Sequence, residues 1–64
     1  MFELRGMGGT LLGRATTLGS AHSLGEEIMT RDDRTFIHIY NNNRLVARLA
    51  NPAKTAHRTE VYSK

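Results

Sequence analysis

The sequence predicts a small, mostly antiparallel β-sheet, or a curled barrel, centred on a hairpin over residues 35–50. Two runs rich in β-branched, aromatic and aliphatic residues flank three asparagines, in the order TFIHIY-NNN-RLVARLA. Such runs joined by a short polar cluster are typical of a hairpin. The six glycines all precede this hairpin and disfavour a long helix there. An all-β fold is therefore expected, and an α+β fold with one short helix around residues 24–30 is the alternative.

The first predicted element is a short strand at residues 2–5, where apolar and charged side chains alternate. A glycine-rich turn follows at residues 6–9. Gly8 and Gly13 have the spacing of a Walker A motif, but arginine and alanine follow where lysine and a hydroxyl residue are required. The glycines therefore do not indicate a phosphate-binding loop.

The second predicted element is a strand over residues 10–18, followed by a loop over residues 19–23. Leu-Gly recurs every six residues in this part of the chain, which places its leucines on one face of an extended backbone. A helix over residues 10–29 competes with this interpretation. Its three internal glycines would cost about 3 kcal/mol relative to alanine, so the strand is preferred.

Residues 23–30 fit either a helix or a strand. Ser23 and Glu26 have the spacing of a capping box, which would begin a helix of one or two turns. Residues 26–30 also fit a strand that turns through residues 31–34 into the hairpin. We prefer the strand and keep the helix as the alternative.

The register of the hairpin follows from the alternation of side chains along each strand. A three-residue loop at residues 41–43, with one asparagine in the left-handed conformation, places Ile39 opposite Leu45 and Ile37 opposite Ala47. One face is then apolar, with Ile37, Ile39, Leu45, Ala47 and Leu49. The other face mixes rings with guanidinium groups, with Phe36, His38, Tyr40, Arg44, Val46 and Arg48.

The segment after the hairpin is predicted to be a connection and a final edge strand. Asn51-Pro52 ends the strand pairing, since proline has no N–H for the ladder. Residues 57–62 alternate loosely and carry charges, as an edge strand does. The last two residues, Ser63 and Lys64, are expected to fray.

The size and composition of the chain indicate one small domain, residues 1–64, of marginal stability. A domain of about 60 residues buries only about 60% of the surface of its unfolded chain. The chain has no cysteine, so neither a disulfide nor a thiolate metal site can stabilise it, and oligomerisation is the common remedy that remains. A homodimer is therefore expected. No secretion signal or long apolar run is visible, so a cytoplasmic location away from membranes is expected.

The charges of the chain are unevenly distributed along its length. The formal net charge is +3. Residues 44–64 hold five basic residues against one acid, a net charge of +4, whereas residues 26–33 hold four acids against one arginine, a net charge of −3. A basic C-terminal third suggests an anionic partner.

Catalysis and metal binding are not expected. The three histidines, His22, His38 and His57, lie far apart in different predicted elements, and no pair has metal-ligand spacing. No nucleophile lies near a base with an orienting acid, and so small a chain offers little volume for a buried pocket. We expect no enzyme activity, no cofactor, no metal and no small-molecule substrate.

Two classes of binding function remain. The first is nucleic-acid binding, in which bases stack on the rings and phosphates contact the basic side chains; its predicted residues are Phe36, His38, Tyr40, Arg44, Arg48, Lys54 and Arg58. The second is a protein-binding regulator or inhibitor of the phage or mobile-element kind, which occupies a partner's surface. In a third interpretation, Phe36 and Tyr40 cover a second layer of core and the arginines shield them from solvent.

Overall fold

The computed structural model describes residues 1–62, which form a five-stranded antiparallel sheet with one helix packed on one face. The elements in chain order are β1 (Phe2–Arg5), β2 (Leu11–Ala15), α1 (Leu18–Asp32), β3 (Phe36–Asn41), β4 (Arg44–Ala50) and β5 (Glu60–Val61). The order of the strands in the sheet is β2-β1-β3-β4-β5. The fold is α+β, so the all-β prediction is wrong and the alternative class is correct. The predicted fraying of Ser63 and Lys64 lies outside the described residues.

Helix α1 is far longer than the short helix of the alternative prediction. It spans 15 residues, so the predicted loop at 19–23 and the predicted strand at 26–30 are both wrong, and the strand predicted at 10–18 ends at Ala15. The cap is Thr17, whose Oγ1 accepts a hydrogen bond from the Ser20 N–H at 3.1 Å. Ser23 lies inside the helix and caps nothing.

The glycines that argued against a helix have three different surroundings. Gly13 lies in β2, and Gly19 lies in the first turn of α1. Gly25 is buried against the sheet, where a Cβ atom would overlap Leu49 Cδ1 and come within 3.2 Å of Leu4 Cδ2. Glycine at this position therefore lets the helix approach the sheet closely, and the contact outweighs its low helix propensity.

The core lies between α1 and one face of the sheet. The sheet supplies Leu4, Ile37, Ile39, Ala47 and Leu49, and the helix supplies Ala21, Ile28 and Met29. Four of the five residues predicted for the apolar face of the hairpin are thus buried against the helix. No polar or charged side chain is buried within residues 1–62.

The turn of the hairpin is shorter than predicted. Asn42 and Asn43 both adopt positive φ angles, 54° and 64°, which is the conformation that a two-residue type I′ turn requires. Asn41 therefore pairs with Arg44 as the last pair of the ladder. The three-residue loop with one left-handed asparagine was wrong.

A β-bulge in β4 then shifts the register of the hairpin. Tyr40 pairs with Leu45, whereas Ile39 pairs with Ala47, so Val46 is the extra residue between them. Val46 is 4% exposed and belongs to the core. Leu45 lies on the same side of the sheet as Tyr40, whereas Arg44 pairs with Asn41 and lies on the helix side. The predicted faces of Arg44, Leu45 and Val46 were therefore wrong.

The segment after β4 ends in the edge strand β5, which has two residues and is shorter than the strand predicted at residues 57–62. Asn51 anchors the connection, because its Nδ2 donates to the Arg34 carbonyl at 2.9 Å and its Oδ1 accepts from the Ala53 N–H at 3.0 Å. Thr59 Oγ1 accepts from the Ala50 N–H at 3.1 Å. The connection is therefore tied to the sheet at both ends. Within residues 1–62, no helix has the length and apolar character needed to cross a membrane.

The close approach at Gly25 predicts opposite effects of alanine at the two helical glycines. Gly25→Ala should lower the free energy of unfolding, because overpacking a core costs about 1–3 kcal/mol and the gain in helix propensity is about 1 kcal/mol. Gly19→Ala, the matched control, has no atom within 4 Å of its added Cβ and should stabilise the protein. Urea unfolding measures both, and a stabilising Gly25→Ala would contradict the packing.

Candidate nucleic-acid interface

The face of the sheet opposite α1 is covered by no helix, and we call it the open face. Strand register places its side chains in rows across the strands. The central row, in sheet order, consists of Leu11, Arg5, His38, Arg48 and Glu60. A second row consists of Arg14, Glu3, Tyr40 and Leu45. Phe36 completes the open face at the start of β3.

Two rings of the open face, Phe36 and Tyr40, each have a guanidinium group beside them. The Arg48 Cζ atom lies 4.6 Å from the centroid of the Phe36 ring, and Arg5 Cζ lies 5.9 Å from the centroid of Tyr40. His57, from the connection before β5, tilts against Phe36 with the ring centroids 6.0 Å apart. Both rings are half-buried, and Phe36 is the more enclosed by its neighbours. The open face therefore presents rings and cations together.

The arginines of the open face are held by two carboxylates. Glu3 Oε1 lies 2.7 Å from Arg5 Nη2, and Glu3 Oε2 lies 3.6 Å from Arg14 Nε. The hydrogen bond from Arg5, aided by the charges of both arginines, holds the pKa of Glu3 below its usual value. Arg48 Nη2 lies 2.8 Å from Glu60 Oε1. The carboxylates position these guanidinium groups and offset part of their charge.

His38 lies between two arginines in the central row, with Arg5 on one neighbouring strand and Arg48 on the other. Burial lowers the pKa of His38, and the nearby charge of Arg48 lowers it further. The imidazole is therefore harder to protonate than in the unfolded chain.

The seven residues predicted to bind do not all lie in one place. Phe36, His38, Tyr40 and Arg48 share the open face. Arg44 is exposed at the tip of the hairpin, where its pairing with Asn41 places it on the helix side of the sheet and not on the open face. Two others, Lys54 and Arg58, belong to the connection before β5; Lys54 Nζ pairs with Asp33 Oδ2 at 2.6 Å beside the end of the helix, and Arg58 is exposed.

Sequence reasoning missed the contribution of β1 and β2 to the open face. Arg5 and Glu3 stand beside His38 and Tyr40 because β1 pairs with β3. The alternation of residues 2–5 already placed both charged side chains on one side of a strand. The sequence does not indicate that this strand pairs with β3, because the pairing of distant segments depends on the topology of the whole sheet.

Charge is segregated between the two sides of the protein. The second half of α1 and its C-cap carry exposed Glu26, Glu27, Asp32 and Asp33 against Arg31, and Arg34 and Lys54 pair with Asp32 and Asp33, which leaves this side with a net charge of −1. The open face and the hairpin tip carry Arg5, Arg14, Arg44 and Arg48 against Glu3 and Glu60. The basic side is therefore the one that also presents the rings.

No protein-family model, curated protein or solved structure matches this chain. In the part of the chain that the structure describes, no three His, Cys, Asp or Glu side chains are grouped so that they could hold a metal ion. The interpretation of the open face therefore depends on its own geometry.

The environment of His38 predicts a pH dependence of stability. Its pKa in the folded protein lies below the ordinary value of 6.5, so the unfolded chain binds more protons as the pH falls past that value. The contribution of neutral His38 to the free energy of unfolding is therefore complete above about pH 7.5, and it decreases as the pH falls towards the pKa of His38 in the folded protein. His38→Gln should reduce the loss between pH 8 and pH 6, where carboxylates stay ionised. Urea unfolding at both values tests this, and an unchanged loss in the variant would contradict it.

Proposed function

We propose that the protein binds single-stranded nucleic acid on the open face of its sheet. The observation that carries this proposal is the arrangement of Phe36, Tyr40 and three arginines side by side on the face that the helix leaves uncovered. Bases stack on aromatic side chains and guanidinium planes, and phosphates pair with arginine. A sheet with rings on one face and a helix on the other offers both contacts to one strand.

The distribution of charge supports the same orientation. The exposed acidic side of α1 would face away from a strand on the open face, and the basic hairpin tip would lie beside it. Arg14 is exposed on the edge strand β2, and Arg44 is exposed at the tip of the hairpin, so both side chains can reach phosphates without disturbing the core. Lys54 and Arg58 would extend the contact along the connection before β5.

A single strand suits this face better than a duplex. The rings stand on a sheet surface, where they can stack only with bases that are not already stacked inside a double helix. Tyr40 would take one base directly. Phe36 is already faced by Arg48 at 4.6 Å, so a second base would stack against this ring–guanidinium pair.

The salt dependence of binding gives the first test. Each phosphate contact on a single strand contributes about −0.7 to the slope of log K against log salt concentration. Arg14→Gln with Arg44→Gln should weaken binding of a fluorescent oligothymidine and reduce the slope by about 1.4.

Arg31→Gln is the matched control for the salt experiment. Arg31 has a side chain 65% exposed and paired with Asp32, as Arg14 has a side chain 60% exposed and paired with Glu3, but Arg31 lies on the helix. Its removal should leave the slope unchanged. Equal slopes in wild type and double variant would show that Arg14 and Arg44 do not contact phosphates.

Light scattering on the same samples measures whether the protein is the expected homodimer.

Stacking on Tyr40 gives a second test. Tyr40→Leu should raise the Kd for an oligonucleotide about 5- to 150-fold, because a stacked base contributes about 1–3 kcal/mol. Tyr40→Phe keeps the ring and should bind nearly as wild type does. Fluorescence anisotropy measures both, with thermal melting to verify that each variant is folded. Equal Kd values for the leucine and phenylalanine variants would show that no base stacks on the ring of Tyr40.

A second candidate is a regulator or inhibitor that occupies the surface of a partner protein. The pairing of Arg5 and Arg48 with carboxylates favours it, because rings and arginines within a charge-balanced surface are typical of protein interfaces. A complex of this kind survives nuclease treatment and depends weakly on salt. Tyr40→Leu would disrupt it while oligonucleotide binding is absent in every variant.

A further inference from the structure

The central row places three nitrogen-bearing side chains on three adjacent strands. Arg5 lies on β1, His38 on β3 and Arg48 on β4, in direct register. Neighbouring strands lie about 4.8 Å apart, so the row spans about 10 Å between the outer two backbones. Two cations therefore flank one imidazole over a distance that a single tetrahedral anion can bridge with flexible side chains.

The donors of the two arginines are only partly used. Arg5 donates from Nη1 to the Gly9 carbonyl at 3.0 Å and from Nη2 to Glu3 at 2.7 Å. Arg48 donates from Nη2 to Glu60 at 2.8 Å, and its buried Nε has no hydrogen-bond partner among residues 1–62. Each guanidinium has five N–H donors, so both retain donors beyond those that hold them in place.

The row also stands midway between the two rings. Phe36, His38 and Tyr40 alternate along β3 on one face, so each ring lies about 6.6 Å from His38 along the strand. Two bases stacked on these rings would leave the backbone that joins them passing over His38. The linking phosphate then falls at the central row.

We propose that Arg5, His38 and Arg48 form a binding site for one phosphodiester group, and that His38 takes up a proton when the phosphate binds. The site depends on the proposed binding of nucleic acid, and it assigns one internal phosphate of the strand to one row of the sheet. In the free protein, partial burial and the nearby charge of Arg48 disfavour the imidazolium form of His38. An anion between Arg5 and Arg48 offsets their charge and favours the imidazolium.

The charges around His38 are consistent with proton uptake when a phosphate binds. The charged and titratable groups that face the central row from the neighbouring elements are Glu3 and Arg5 on β1, Arg14 on β2, Arg48 on β4, Glu60 on β5, Tyr62, whose hydroxyl donates to Glu60 Oε1 at 3.0 Å, and, beyond Phe36, His57. Glu60 lies on the outer side of Arg48, and Glu3 lies in the second row on the same strand as Arg5, so neither lies between an arginine and His38 in the row. The position over His38 is the one that an anion can occupy.

Binding of a thymidine dinucleotide and of longer oligothymidines, measured between pH 8 and pH 6, tests the site. Affinity should rise as the pH falls, by up to about tenfold per pH unit for one linked proton. His38→Gln should remove this dependence, whereas His57→Gln and His22→Gln should retain it. NMR titration should show the His38 midpoint move to higher pH when the dinucleotide is bound. A dinucleotide with a neutral methylphosphonate linkage should cause no such shift.

The outcomes separate this proposal from the one that it depends on. Oligonucleotide binding that is independent of pH in the wild type, or equally dependent on pH in His38→Gln, would overturn the phosphate site and leave the open face as the binding surface. No oligonucleotide binding at any pH would overturn both. If inorganic phosphate alone moves the His38 midpoint as far as the dinucleotide does, the site binds free phosphate and the assignment to an internal phosphodiester is wrong.

Discussion

The close approach of α1 to the sheet at Gly25 is the contact on which the rest of the structure depends. Leu49 and Leu4 occupy the space that a side chain at Gly25 would need, so the helix lies directly on one face of the sheet. Residues 1–62 contain no second helix that could cover the other face. The rings and arginines of the open face stay accessible because the only helix of residues 1–62 is committed to the opposite side.

The bulge at Val46 is the second constraint, because it decides which side of the sheet receives Arg48. A two-residue turn without a bulge would pair Ile37 with Arg48 and drive a guanidinium into the core, since a shift of one residue exchanges the faces of a strand. The extra residue restores the alternation, so that Ile37 pairs with Leu49 and His38 with Arg48. Packing on the helix side and the composition of the open face are thus set by one irregular residue.

The same bulge explains why much of the open face was predictable from an incorrect register. The three-residue loop paired Ile37 with Ala47, two positions away from its true partner Leu49, and a displacement of two residues preserves the face of every side chain. Phe36, His38, Tyr40 and Arg48 were therefore assigned to one side correctly. Arg44 and Leu45, between the turn and the bulge, and Val46 at the bulge were not. Local alternation is readable in a sequence, whereas an inserted residue is not.

The helix was missed for a different reason. Helix-propensity scales assign each glycine the free-energy cost that it has in an exposed helix. Gly25 is not exposed, because it lies where the contact with the sheet requires the absence of a Cβ atom. The long-range pairing of β1 with β3 was equally hidden, because residues 2–5 carry no mark of the strand that they join. Arg5 lies on the open face because β1 pairs with β3. What the sequence lacked in both cases was the identity of a distant neighbour.

The carboxylates of the open face determine what kind of ligand its arginines can accept. Exposed ion pairs contribute only about 0–1 kcal/mol, so a guanidinium that exchanges Glu3 or Glu60 for a phosphate loses little. The carboxylates meanwhile hold Arg5 and Arg48 over Tyr40 and Phe36 in the free protein, which reduces the side-chain ordering that binding requires. A face built in this way is pre-organised but only weakly basic. Under the proposed function, such a face would bind a ligand that supplies bases for the rings together with phosphates for the cations better than one that supplies charge alone.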